Sequence, residues 1–162
     1  ATEVVSKLTN ILNLNITLYV TGKNNSNTKN KHTKKLKIIY TGFLEIDELN
    51  NYIYNADIGL AFYPDKSNSS SEYGDPEKIR RYINAGLPIV VTGKGKTVEM
   101  VSKEEVGIHV SYDLDSILQG IKFLVYNESY YSKLSNNCFE FAYNQRKADR
   151  VMKSLTYISS QI

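Results

Sequence analysis

The chain has 162 residues, about one domain at roughly 150 residues per domain; its 41% hydrophobic and 23% charged residues exclude a disordered, collagen-like or coiled-coil chain. The lone Cys138 excludes a disulfide scaffold or a cysteine zinc cage and points to a reducing compartment. A net charge of +3, with no aromatic residues interleaved among the basic ones, gives no nucleic-acid platform, and no apolar run approaches the ~20 residues of a membrane span.

Val4, Val5, Leu8, Ile11 and Leu12 recur at helical spacing and predict a helix ending near Asn13. This pattern begins almost at Ala1, without the apolar stretch of a signal peptide, and is expected of a piece of a longer protein or of a processed start. Two β-branched runs follow, Ile16 to Val20 and Leu36 to Tyr40, each stopped by Thr-Gly. The polar stretch between them, Lys23 to Lys35, has nothing to bury and reads as a mobile loop. Glu45 to Asn55 carries Ile46, Leu49, Tyr52 and Ile53 at helical spacing and leads into a buried strand, Ile58 to Tyr63.

A loop rich in Ser, Asp and Gly then runs from Pro64 to Asp75, with Asp75 and Pro76 suited to open a helix that ends at Gly86. Pro88 to Thr92 is a short apolar strand, Thr97 to Glu104 a short helix, Gly107 to Val110 a strand and Leu114 to Tyr126 an amphipathic helix. The tail is helical in two segments, one with Leu134, Cys138, Phe141 and Ala142 on a face, the second with Met152, Leu155 and Ile158. Short buried strands alternating with helices predict an α/β fold, a Rossmann-like parallel sheet with helices on both faces. The strand at 16–20 is expected beside the one at 36–40 and, if a central strand of the sheet is absent, directly beside the one at 58–63.

In such a sheet ligands lie beyond the carboxyl ends of the strands. That rule selects the loops after each strand, above all the segment holding Ser69, Ser70, Ser71, Glu72, Tyr73 and Gly74, which feeds a helix N-terminus where free N–H groups favour an anion. Lys78 and Arg81 stand one turn inside that helix as counter-charges. The alternative is an ordinary polar connection with surface cations.

The run Ala56-Asp57-Ile58-Gly59-Leu60, the Ser-rich loop, then Pro76-Glu77-Lys78-Ile79-Arg80-Arg81-Tyr82-Ile83-Asn84-Ala85-Gly86-Leu87-Pro88-Ile89-Val90, Glu99 and Gly107-Ile108-His109-Val110 resembles the C-terminal, nucleotide-sugar-binding half of retaining GT-B glycosyltransferases of the group 1 type. The resemblance covers most of the chain from Ile16 onward, and its most specific part is Pro-x-Lys followed by a Tyr and a Gly-x-Pro strand entry. It implies one half of a GT-B fold, with residues 1–162 forming a single donor-binding domain whose N-terminal, acceptor-binding half is absent. It also implies metal-independent transfer from a nucleotide-diphosphate sugar to a glycan or lipid-linked acceptor, on the cytoplasmic side, by an enzyme of which this fragment is inactive alone. Phe43 and Leu44 would pack near the base, Ser70 to Gly74 would border sugar and phosphates, and Lys78 and Arg81 would supply charge. No cofactor is implied.

Two departures bear on that reading. Family members commonly carry two glutamates seven residues apart, the second accepting hydrogen bonds from the ribose; here Arg81 aligns with the second, and an arginine cannot accept. The family strand and loop that carry basic residues for the diphosphate are also missing. A non-catalytic GT-B-like binding or scaffold subunit is therefore the alternative.

Other candidates are weaker. His32 and His109 have no metal-ligand spacing. Gly93-Lys94-Gly95-Lys96-Thr97 lacks the upstream glycine of a phosphate loop and reads as a turn. Ser69 to Ser71 has no nucleophile elbow. Lys29, Lys31, Lys34, Lys35 and Lys37 read as a solvated loop, with peripheral contact to anionic lipid as the functional alternative.

Overall fold

The computed structural model describes residues 2–23, 29–64 and 77–159. Helix α1 (Thr2–Leu12) buries Val4, Val5, Leu8 and Leu12 on one stripe and ends where Asn13 takes a left-handed φ of 57°. Asparagine is one of the few residues besides glycine that visits this region routinely. Strand β1 (Ile16–Thr21) pairs in parallel with β3 (Leu36–Gly42), from Ile16 opposite Leu36 to Thr21 opposite Gly42. The expected mobile loop between them is partly a strand: β2 (Lys31–His32) pairs antiparallel with β3. Backbone hydrogen bonding builds it, with no apolar side chain taking part, so no hydrophobic pattern announced it.

Helix α2 (Ile46–Tyr54) follows, then β4 (Gly59–Ala61), α3 (Glu77–Asn84), β5 (Ile89–Val91), α4 (Lys96–Lys103), β6 (Gly107–His109), α5 (Leu114–Tyr126) and α6 (Glu128–Ser159). Asp113 caps α5 by accepting from the Ser116 N–H at 2.8 Å, and Asn127 Oδ1 accepts from Tyr130 N–H at 3.1 Å as α6 begins. The tail expected as two helical segments is this single helix of 32 residues. Packing explains its first half, through buried Leu134, Cys138 and Ala142, and residues 143–150 beyond it are exposed.

The fold is α/β, with parallel strands flanked by helices, in two three-stranded groups ordered β1-β3-β2 and β4-β5-β6. Among the described residues no backbone pairing joins β1 to β4, contrary to the expected neighbours. Side chains join the groups instead. Val4, Leu8 and Leu12 of α1 pack with Ile117, Leu118, Ile121 and Leu124 of α5 over Val90, and Ile16 and Leu60 lie against the same cluster. On the opposite face Ile89 and Val91 meet Ile79, Ile83, Val98, Val101, Cys138 and Ala142. All three β5 residues are fully buried, and their side chains alternate between the two clusters. Burial on both faces is why this strand reads as a continuous apolar run.

The corner after α3 shows how the motif residues serve the fold. Gly86 has φ +70°, its N–H donates to Ile83 O at 3.0 Å, and Leu87 N–H donates to Tyr82 O at 2.9 Å, the paired bonds of a Schellman cap. Tyr82 in turn lies on the backbone of Gly59: a Cβ there would come 2.5 Å from its ring. The Gly of the strand and the Tyr of the helix are thus one packing unit.

Candidate functional site

The carboxyl ends of the strands are held in register by side chains. Thr92, directly after β5 and fully buried, accepts from Tyr63 N–H and donates its hydroxyl to Tyr63 O, both at 2.9 Å. The exit of β4 is thereby fastened to that of β5. His109, at the end of β6, donates from Nε2 to Gly93 O at 2.8 Å and ties the third exit to the loop after β5. In the other group, Gly22 N–H donates to Gly42 O at 2.8 Å, joining the two Thr-Gly stops.

Lys78 lies in the first turn of α3, at the carboxyl end of β4. Its Nζ sits 4.4 Å from the centroid of the Tyr63 ring, where the negative face of the ring attracts a cation. Burial pulls the Lys78 ammonium below the ordinary lysine range. The Tyr63 hydroxyl is pushed up to about 12 by burial first and by neighbouring Tyr82 second, and its Oη is buried with no hydrogen-bond partner among the described residues. The pair forms a partly desolvated cation beside a neutral phenol, next to a helix N-terminus.

Arg81 is one turn further along. Its Nη2 meets Glu77 Oε1 at 2.5 Å and its Nη1 donates to Asn50 Oδ1 at 3.4 Å. The second contact bridges the last turn of α3 to the middle of α2. Phe43 and Leu44 lie between the carboxyl end of β3 and the start of α2; Phe43 is 80% exposed and Leu44 half-buried, and no contact among the described residues joins either to Lys78 or Arg81. Ser70, Ser71, Glu72, Tyr73 and Gly74, with Ser69, Asp75 and Pro76, lie outside the described residues.

Tyr63, Thr92, His109 and Asn50 were not singled out for this site from sequence. Their placement depends on pairings 29, 16 and 31 residues apart, which no local spacing signals. Gly93 to Gly95 forms the expected turn, with Gly95 the residue before α4. Among the described residues no group of His, Cys, Asp and Glu is arranged to hold a metal ion. A shallow cavity of about 480 Å³ lies beside β6 and α5, lined by His109, Ser111, Gln119, Phe123 and Tyr130 among others, and includes none of the site residues expected from sequence.

Residues 3–156 match the family model described as "Glucosyltransferase 3-like, C-terminal domain". The chain belongs to this family. No curated protein matches the sequence. Among solved structures, the glucosyltransferase 3-like domain is similar to WaaG, a glycosyltransferase involved in lipopolysaccharide biosynthesis, with a TM-score of 0.65 at 14% identity. The alignment covers 86% of this chain and 37% of WaaG, so the domain spans little more than a third of that protein's length. At this identity the likeness is one of fold, and the fold is that of a glycosyltransferase C-terminal domain of GT-B type. Among the described residues no helix is long and apolar enough to cross a membrane.

Proposed function

We propose that this domain binds the donor of a glycosyltransferase that uses a nucleotide-diphosphate sugar, with Lys78 and Arg81 at the diphosphate. The observation that carries the reading is the position of Lys78 in the first turn of α3, beyond the carboxyl end of β4, with Arg81 one turn further along and in contact with α2 through Asn50. Helix N-terminus and cations act in the same direction on an anion. Retaining, metal-independent transfer to a glycan or lipid-linked acceptor in the cytoplasm completes the proposal. In that reaction the cations and the helix end stabilise the departing diphosphate. Phe43, exposed just beyond the carboxyl end of β3, offers a ring to the base.

To reach a phosphate, Arg81 gives up its ion pair with Glu77. Glu77 is 76% exposed, and a pair of that kind is worth about 0–1 kcal/mol. A charge-assisted hydrogen bond to phosphate, about 1.5–3 kcal/mol, outweighs it. Titration calorimetry with a panel of nucleoside diphosphates tests the assignment. Arg81→Ala is expected to weaken binding of the preferred member roughly tenfold. Arg81→Glu repels a phosphate but supplies a ribose acceptor, so tighter binding by that variant would move the contact from phosphate to ribose.

A second reading, a binding or scaffold subunit that has lost the donor site, is favoured by one observation: Arg81 already spans α2 and α3 through Asn50 and Glu77, as a structural residue would. It predicts no binding by any member of the panel and lower thermal stability for Arg81→Ala.

A further inference from the structure

Charge is segregated along this chain. Between Val4 and Leu44 stand seven lysines and not one carboxylate, whereas the other thirteen Lys and Arg share their part of the chain with all seventeen Asp and Glu. The fold gathers five of these lysines on one edge. Strand β2 is outermost in its group; Lys34 and Lys35 form the tip of the hairpin that joins it to β3, Lys31 and Lys37 lie on the paired strands, and Lys29 leads into β2. All five are exposed, and among the described residues none pairs with a carboxylate. The Lys35 ammonium donates to Asn13 Oδ1, and Lys35 O accepts from Ile16 N–H at 2.8 Å, which seats the tip against the end of α1. Two aliphatic side chains are exposed at that end of α1, Ile11 at 52% and Leu14 at 43%.

We propose that this edge docks on an anionic lipid surface, with the lysines over the headgroups and Ile11 and Leu14 entering the interfacial boundary. The cations are all lysine, compact hydrated charges without the planar fork that grips one phosphate in a fixed geometry. That composition suits a smeared negative potential. A single-stranded nucleic acid is bound instead on aromatic platforms, and residues 23–39 contain no Phe, Tyr or Trp. Charge with adjoining aliphatic side chains is the pairing that interfacial binding requires. The hairpin tip lies where β1 and β3 begin, and Phe43 and Leu44 follow the far end of β3, so docking leaves those two residues away from the surface. The proposal stands independently of any donor.

The test is co-sedimentation of the protein with phosphatidylcholine vesicles, with and without roughly one-third phosphatidylglycerol. Each lysine near such a surface contributes roughly fivefold to partitioning. Binding is expected only with phosphatidylglycerol, and is expected to be lost as NaCl rises from about 0.05 to about 0.5 M. The triple variant Lys31→Glu/Lys34→Glu/Lys37→Glu is expected to partition at least about a hundredfold less, with an unchanged far-ultraviolet circular dichroism spectrum. Should that variant misfold, the corresponding glutamine substitutions remove charge without reversing it and give the same reading. Leu14→Ser with Ile11→Ser should weaken binding severalfold and leave its salt dependence in place. No binding to phosphatidylglycerol vesicles at low salt, equal binding by the folded triple variant, or tighter binding to a single-stranded oligonucleotide at the same salt would each overturn the proposal.

Discussion

Replacing Gly86 by alanine should expose two separate costs, and a second substitution should separate them. The first is backbone: at φ +70° a residue with a Cβ loses about 1–2 kcal/mol. The second is steric, because the new methyl would lie 2.1 Å from Phe139 Cζ and 2.3 Å from Cε2, so the ring must leave. Phe139 is 52% exposed and can swing into solvent; the loss is then the burial of about half a ring, roughly 80 Å² at ~25 cal/mol per Å², or about 2 kcal/mol. Gly86→Ala is therefore expected to destabilise by about 3–4 kcal/mol, lowering Tm by roughly 10 °C in a domain of this size. Phe139→Ala alone should cost about 2 kcal/mol and remove the obstacle, so that Gly86→Ala in that background costs only the backbone share of about 1–2 kcal/mol. Guanidinium denaturation of the four proteins measures the cycle. Additivity within about 0.5 kcal/mol would show that the ring does not occupy the space beside Gly86, and a Gly86→Ala cost below about 0.5 kcal/mol would refute the left-handed cap itself.

Because burial lowers the pKa of Lys78, its charge is lost at a lower pH than that of an ordinary lysine. The protonated form is the one that attracts an anion, so affinity for a nucleoside diphosphate should fall as pH rises toward the usual lysine range near ~10.4, and Lys78→Arg, which stays charged, should flatten the profile; calorimetry across that range checks it, and identical profiles would refute the role. The Cys138 thiol is fully buried, lies 3.4 Å from Val106 O and is pushed up to about 12 by burial. Ellman's reagent should therefore label it near neutral pH only at the rate of unfolding, and rapid labelling of the folded protein would contradict the packing of α6.

Local punctuation made much of this fold legible. Thr21-Gly22, Gly42 and Gly86 stop elements where the sequence places stops, and the Gly86-Leu87-Pro88 corner follows from glycine's tolerance of positive φ. What depends on distant partners was not legible. Strand β2 rests on pairing with residues 37 and 38 and carries no apolar signature. The separation of the strands into two groups is a matter of spatial order, which periodicity does not encode. The same holds for the candidate site: Lys78 was readable as a cation at a helix start with Arg81 one turn on, but the neighbours that define their surroundings, Tyr63 and Asn50, arrive from other elements.

The joining of the two strand groups through α1 and α5 fixes an order of events during synthesis. Strands β1 and β3 pair across about twenty residues, so their ladder can close once Gly42 has cleared the ribosome. Helix α1 packs partly on these strands through Val5, but the partners of Val4, Leu8 and Leu12 include Ile117, Leu118 and Ile121. Those contacts cannot exist until three-quarters of the chain has been made. At the ~5–20 residues per second of translation, one end of the domain waits several seconds for the other. Throughout that interval the nascent chain carries an apolar helical stripe with no lasting place to bury it.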